Sequence, residues 1–339
     1  MSDIAIKIED LATLLHTDLN INHLKIDGFI HQDNWPQFCA PLNIQELSFN
    51  IADRAKNISF FNPSIFPSLR YIYCWVSYGD YVDNLFDVFS ELPNLDELEL
   101  HNTICKSEDL KKLAKLEKLT KLNLKHCNAL SNIEEFSFPN LTVLNASYTN
   151  KIVSNETLAN LPNTLLVLDI SCSNITDLSG LSALPNLQKL DISSNHITDF
   201  SPIQFLTSLQ SLRVYFTGDY SNVLFSVLNC IQLLKLQCWR FVYCEDICQF
   251  PQSIMEFDIS FSKIDNSQLL LLIQYSQLEE LTITHCKNIS IDGICAILET
   301  GLLLKKINMR NIMRYSYEEN LSLKERYPEI EFVTDFTEV

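Results

Sequence analysis

Apolar residues recur along this chain in a short alternating figure, leucine–x–leucine, separated from the next such figure by a little over twenty residues. In LPNLQKLDISSNHITDF, residues 184–200, the figure is Leu187, Leu190 and Ile192, followed by Asn195 and Ile197. The preceding segment LLVLDISCSNITDL repeats it with Leu165, Leu168, Ile170 and Ile175, and puts Ser173 where Asn195 stood. Alternation of period two predicts a short strand with one apolar and one polar face. The second leucine of each figure gives a marker series: Leu24, Leu47, Ile72, Leu98, Leu122, Leu144, Leu168, Leu190, Leu212, Leu236, Phe257, Leu281 and Ile307. Successive markers lie 21 to 26 residues apart. A strand this short cannot bury its leucines alone, so a period sustained thirteen times predicts stacked repeats that share one core.

Between the strands the apolar spacing changes. SEDLKKLAKLEKL places Leu110, Leu113, Leu116 and Leu119 three apart, which predicts a short α or 3-10 helix on the return path. Residues 3–17, DIAIKIEDLATLLHT, read as an amphipathic helix over the first repeat. At the other end YEENLSLKERYPEIEFVTDF reads as a last helix, then a strand near Ile330–Val333. The expected organisation is one domain over 1–339: a helical cap at 1–18, about 13 repeats over 19–314 and a closing cap at 315–339.

The motif L-x-x-L-x-L-x-x-N-x-L, carried by Leu187, Leu190, Ile192, Asn195 and Ile197, resembles the leucine-rich-repeat family, and its register covers nearly the whole chain. The resemblance implies an α/β solenoid shaped as a curved horseshoe, with a parallel sheet on the concave side and short α or 3-10 helices on the convex side. Residues 165–200 are similar to the compact 22-residue bacterial repeat. LEELTITHCKNISIDGICAIL, residues 278–298, is similar to the longer cysteine-containing type. In that pattern Cys127 and Cys286 take the asparagine slot and turn inward to neighbouring backbone. The mixture of repeats, with an Asn-, Ile- and Lys-rich composition, resembles the effectors that intracellular bacteria such as Legionella deliver into host cells. That resemblance implies a cytoplasmic protein acting in the host cytosol.

The register also sorts the surface. The residue after each marker points away from the leucines, and it is polar or charged everywhere except at Tyr73. Tyr71 and Trp75 flank Tyr73 on the same face, while Leu69, Ile72 and Cys74 face the core. Seven repeats on, Tyr215 and Trp239 take equivalent places in adjacent units, with Phe216 at the strand's end. Tyr and Trp bury large area with few rotors and dominate interface hot spots. These residues, with Glu97, Glu99, Asp169, Asp191 and Arg213 around them, are the expected partner-binding set.

Composition narrows the alternatives. A net charge of −17 disfavours nucleic acid and anionic membranes, which demand a dense Lys/Arg face. No run of about 18 apolar residues is present, and the N-terminus has neither a basic region nor a clean apolar one. Eleven cysteines then point to a reducing compartment. Cys230, Cys238, Cys244 and Cys248 lack the paired spacing of a zinc site, and Cys238 takes an inward strand position. Six glycines leave little for phosphate loops, and no catalytic motif is present. Lys106–Lys125 is a basic island whose simplest reading is a solvated return helix; the other is contact with an acidic partner. The expected molecule is a monomeric, non-enzymatic module with a protein partner on the concave face and no cofactor, metal or small-molecule substrate. Two other classes stand beside it: a substrate receptor of a ubiquitin-ligase assembly, and a GTPase regulator. The repeats leave no room for an F-box or a ligase domain, and no arginine stands out as a finger.

Overall fold

The computed structural model of the chain describes residues 3–7, 22–30, 35, 41–52, 55–79, 81–129, 138–149, 153–215, 224, 227–240, 247, 249–313 and 315–336. The chain groups into two units, Met1–Ile175 and Thr176–Val339. The first holds β1 (Asp3–Lys7), β2 (His23–Ile30), β3 (Glu46–Ile51), β4 (Tyr71–Val76), β5 (Glu97–His101), β6 (Ile104–Cys105), β7 (Lys121–Asn123), β8 (Asn128–Ala129), β9 (Val143–Asn145) and β10 (Val167–Asp169). Its main sheet runs β1-β2-β3-β4-β5-β7-β9-β10, and β6 pairs with β8 in a ladder of its own. The second unit holds β11 (Lys189–Asp191), β12 (Ser211–Tyr215), β13 (Lys235–Trp239), β14 (Glu256–Asp258), β15 (Glu280–Thr282), β16 (Lys306–Asn308) and β17 (Glu331–Val333), again neighbours in chain order.

Every pairing resolved within the two units is parallel, and the register is the one the marker series predicts. In the first unit Leu24 lies opposite Leu47, Leu47 opposite Ile72, Ile72 opposite Leu98, and so on to Leu168. In the second, Leu190 through Ile307 follow the same rule. All thirteen markers are buried, none more than 3% exposed. A slip of one residue would turn the whole leucine column to solvent, so burial specifies the pairing.

Return segments scale with repeat length. The two 22-residue steps between Leu168 and Leu212 return through 3-10 helices, Ser179–Ala183 and Ser201–Phe205. The 26-residue steps carry α-helices, Leu85–Ser90 and Ile291–Leu298. The helix Ser107–Leu113 buries Leu110 and Leu113, and the turn after it buries Leu116 and Leu119. Near the C-terminus the helix Tyr317–Arg326 and β17 occupy the places read from the sequence, with Phe332 opposite Ile307.

The N-terminus differs from the expected helix. Residues 3–7 are a strand that pairs with β2, Ile4 opposite Leu24 and Ile6 opposite Ile26. The physical reason lies in the sequence: β-branched Ile4 and Ile6 alternate with Ala5 and Lys7, and the edge of β2 offers unpaired backbone groups. The rest of the expected cap, residues 8–18, lies outside the described residues.

Nine of the marker strands end in the same left-handed turn. Four residues past the marker φ is positive at Asn102, His126, Tyr148 and Cys172 in the first unit, and at Ser194, Arg240, Phe261, His285 and Asn311 in the second, between 54° and 62°. The next residue then points inward. There the Cys127 thiol donates to the Leu100 carbonyl (3.2 Å), the Cys286 thiol to Ile259 (3.4 Å), the Ser173 hydroxyl to Ala146 (2.8 Å) and the Asn195 amide to Ile192 (3.1 Å). Cysteine, serine and asparagine thus serve one purpose, meeting a buried carbonyl at the strand's end. Burial pushes the Cys127 thiol up to about 12, so it stays a neutral donor.

Two substitutions test these forces by urea unfolding. Leu281→Ala should lose about 2–5 kcal/mol through the cavity it leaves. Ser194→Gly, which relieves a left-handed non-glycine residue, should gain on the order of 1 kcal/mol.

Candidate partner-binding site

The outward column does more than meet solvent. Oδ1 of Asn145, Asp169, Asp191 and Asp258 accepts the backbone N–H two residues on, from Ser147 (2.9 Å), Ser171 (3.0 Å), Ser193 (2.9 Å) and Ser260 (3.0 Å). These are Asx turns that close the strand ends. Asp169 and Asp191, read from the sequence as partner contacts, therefore also have a structural task.

On β4 the side chains of Tyr71, Tyr73 and Trp75 are half-buried, alternating with buried Ile72, Cys74 and Val76. Glu99 on the neighbouring strand organises them. It accepts the Tyr71 hydroxyl (3.2 Å) and the Asn123 amide (3.3 Å), and it pairs with His101 Nε2 (3.2 Å). The His101 ring lies 5.2 Å from that of Tyr73 and 6.0 Å from Trp75, nearly parallel to the indole at 18°. Glu97 pairs with Lys121 (2.8 Å). His101 escaped the sequence reading because it stands at the position beyond the outward pair, where period two alone does not separate a support from a contact. The His101 hydrogen bond, more than any other cause, holds the Glu99 carboxyl below the usual glutamate range, against the pull of partial burial. Burial first, and then Glu99 itself, drives the Tyr71 phenol well above its ordinary value.

The second cluster belongs to β12–β15. The Arg213 guanidinium donates to Gln237 Oε1 (2.6 Å) and Asp191 Oδ2 (3.2 Å), and stands 5.9 Å over the Trp239 ring. Tyr215 meets Trp239 edge-on, centroids 6.5 Å apart, and the indole N–H donates to Asp258 Oδ2 (2.8 Å). The row continues where the sequence did not point: Trp239 to Phe261 (6.5 Å), then Phe261 stacked on His285 (4.4 Å, 16°). Arg240 lies over Tyr215 at 5.3 Å. Arg240, Phe261 and His285 occupy the left-handed position, whose side-chain direction no strand periodicity reveals. Phe216 lies outside the described residues. The depression beside this cluster holds about 60 Å³ among Lys235, Gln237, Glu256, Asp258, Glu280 and Thr282, room for water rather than a substrate.

The lysines of the basic island are mostly engaged nearby. Lys111 pairs with Glu108, Lys112 with Asp87 and Asp109, Lys121 with Glu97, and Lys106 lies 3.9 Å over the Tyr81 ring. This is a solvated return face knitted to the preceding repeat. Cys238 is buried in the core column, and Cys244 and Cys248 lie outside the described residues. Among the described residues no three His, Cys, Asp or Glu side chains are grouped to hold a metal ion.

The Glu99 pairing has a pH signature. A carboxyl whose folded pKa is depressed adds stability that is complete above its unfolded pKa, about 4.3, and is lost as pH falls through the folded value. The stability gap between the wild type and Glu99→Gln should be constant from pH 5 to 7 and close below about pH 4. Urea titrations at a series of pH values read it directly; a gap independent of pH would mean that Glu99 acts through shape alone.

No protein-family model and no curated protein matches the chain. Among solved structures an internalin (inlF) from Listeria monocytogenes superposes with a TM-score of 0.51, covering 81% of this chain and 82% of that one at 19% identity. A second Listeria monocytogenes internalin, C2, aligns over 60% of this chain and 83% of its own, with a TM-score of 0.36 and 19% identity. With its strand markers in register and its inward turns closed by Asn, Cys and Ser, the chain has the leucine-rich-repeat solenoid fold, the fold of the first of these internalins.

Proposed function

We propose that this chain is a non-catalytic protein-binding module that docks a partner across the outward face of its strands. One observation carries the reading. Tyr71, Tyr73 and Trp75 fill outward positions that the other repeats give mainly to polar residues, and Glu99 and His101 hold their rings in place while leaving them half-exposed. Rings fixed before binding lose little entropy on binding, which is what an anchor requires. Tyr215 and Trp239 form the second anchor set, with Arg213 and Asp191 as polar surround. Glu97, Glu99 and Asp169 give the first unit's face an acidic margin.

The same geometry weighs against acid–base chemistry at the Glu99–His101 pair. The carboxylate is occupied by three donors, and the imidazole is covered by two rings. A general acid or base needs an open path to its substrate. The buried thiols of Cys74, Cys105 and Cys238, used as small core residues, support a reducing, cytosolic setting. The mixed repeats and the composition support an effector acting on host proteins in that compartment.

Affinity capture from a eukaryotic lysate compares the wild type with Tyr73→Ala/Trp75→Ala. Hot-spot truncations cost about 2 kcal/mol or more each, so the specific partner should be recovered at least about tenfold less well by the variant. The variant should remain folded, because both side chains stand outside the leucine core. Equal recovery by both proteins would sink the reading.

A further inference from the structure

Strand register fixes the outward face of β3–β5 as three short rows. Glu46, Tyr71 and Glu97 lie side by side across the strands, then Ser48, Tyr73 and Glu99, then Asn50, Trp75 and His101. Three carboxylates therefore border the rings of β4. Neutral donors leave a carboxylate its charge, and Glu99 is held below the usual glutamate range, the His101 hydrogen bond first among the causes. That charge reaches the rings. After burial, Glu99, then Glu97 and Glu46, drive the Tyr71 phenol above its ordinary value. His101 borders Tyr73 and Trp75 from the β5 side and leaves both half-exposed.

The lysines and arginines nearby are mostly turned to other groups. Lys121 answers Glu97 (2.8 Å), while Glu46, half-exposed, has as cationic partner only the His23 imidazole, at 3.7 Å, among the described residues. Lys25 pairs with Asp27 and Arg70 with Asp96. Other surface rings carry a cation supplied by the chain itself. Lys125 stands over Tyr148 (5.6 Å), Arg240 over Tyr215 (5.3 Å), Arg213 over Trp239 (5.9 Å) and Lys106 over Tyr81 (3.9 Å). Among the described residues no lysine or arginine lies over Tyr71, Tyr73 or Trp75. The β4 rings thus combine bordering carboxylates, open ring surface and no Lys or Arg of their own.

We infer that the β4 face takes an arginine from a basic segment of a partner protein, its stem and flat guanidinium against Trp75 and Tyr73 and its N–H edge turned to Glu46 and Glu97. The inference rests on the protein-binding reading and names the partner chemistry at one of its anchors. A cation is drawn to the face of an indole or phenol ring, and carboxylates at the ring's border add to that attraction. Arginine fits better than lysine, because its guanidinium is planar, weakly hydrated and able to stack while its N–H groups still donate. The row of Glu46, Tyr71 and Glu97 lies about 7 Å along the strands from Tyr73, within the length of an arginine side chain. Each carboxylate has lone pairs for more than one donor, so Glu97 can keep Lys121 and accept a second cation.

The test uses the full chain against a randomised peptide library displayed on phage, with selected peptides measured by fluorescence anisotropy. Selected sequences should be rich in arginine, and their affinity should fall as salt is raised. Glu46→Gln/Glu97→Gln should weaken them about threefold or more, as the attraction of two partly exposed carboxylates is lost. Tyr73→Leu/Trp75→Leu, which keeps apolar area but removes the rings, should weaken them at least about tenfold. Tyr73→Phe/Trp75→Phe, which keeps a ring at each position, should bind within about threefold of the wild type. Equal binding by the leucine and phenylalanine variants would reduce the rings to apolar surface and overturn the proposal. Failure to select any peptide would overturn it too, as would arginine-rich peptides indifferent to the Glu46 and Glu97 changes. Acidic or uncharged peptides that the leucine variant loses would rule out the arginine while leaving the protein-binding reading intact.

Discussion

Each repeat must bury a leucine pair and then turn its chain inward within a few residues, and this turn is the constraint on which the rest of the structure depends. In nine repeats it is made at a left-handed non-glycine residue, in a chain that has only six glycines. Asparagine, histidine, tyrosine, cysteine, serine, arginine and phenylalanine do the work instead. What makes that tolerable is cooperation between neighbours. The N–H of the left-handed residue donates to the following repeat, and the next side chain meets a carbonyl at the strand end. No single turn would hold alone; each is held because the adjacent repeats are in place, which is how a solenoid turns weak units into a stable stack.

The fold could be read from the sequence because its two dominant forces leave periodic marks. Leucine burial writes a period of two within each strand, and stacking writes a period of 21 to 26 between strands, so the sequence alone aligns Leu24 to Ile307. Cys127 and Cys286 were legible for the same reason, as occupants of a slot defined by its distance from the marker. The first strand was not. Residues 3–17 contain apolar residues at both helical and strand spacing, and pairing with β2 decided the first of them in favour of the strand.

The candidate site was legible only where it shares the strand's alternation. Tyr71, Tyr73, Trp75, Tyr215 and Trp239 follow from the register because an outward residue stays outward along a pleat. Glu99 stands out in the sequence by its charge alone, and its role as the hub of Tyr71, His101 and Asn123 depends on pairing across strands. Phe261, His285 and Arg240 are set by a backbone turn, and turns aim side chains by φ and ψ rather than by period. Asp169 and Asp191 show the opposite limit. Their acidity suggested a partner, while their spacing to Ser171 and Ser193 already encoded a local backbone contact.

The two clusters are therefore different kinds of surface. Around β4 the polar groups satisfy one another's hydrogen bonds: Glu99 takes three donors and Glu97 takes Lys121, so the rings sit in a fixed polar frame. Carboxylate oxygens that already accept protein donors cost less to desolvate than bare ones, which on the proposed reading favours an apolar contact on Tyr73 and Trp75. Around β13–β15 the Asp258 carboxylate accepts the Trp239 indole and the Ser260 N–H while keeping its charge, and Arg213 donates to Gln237 and Asp191. On the proposed reading, rings held by neighbouring side chains at either cluster lose little entropy on binding, so each can serve as an anchor by itself.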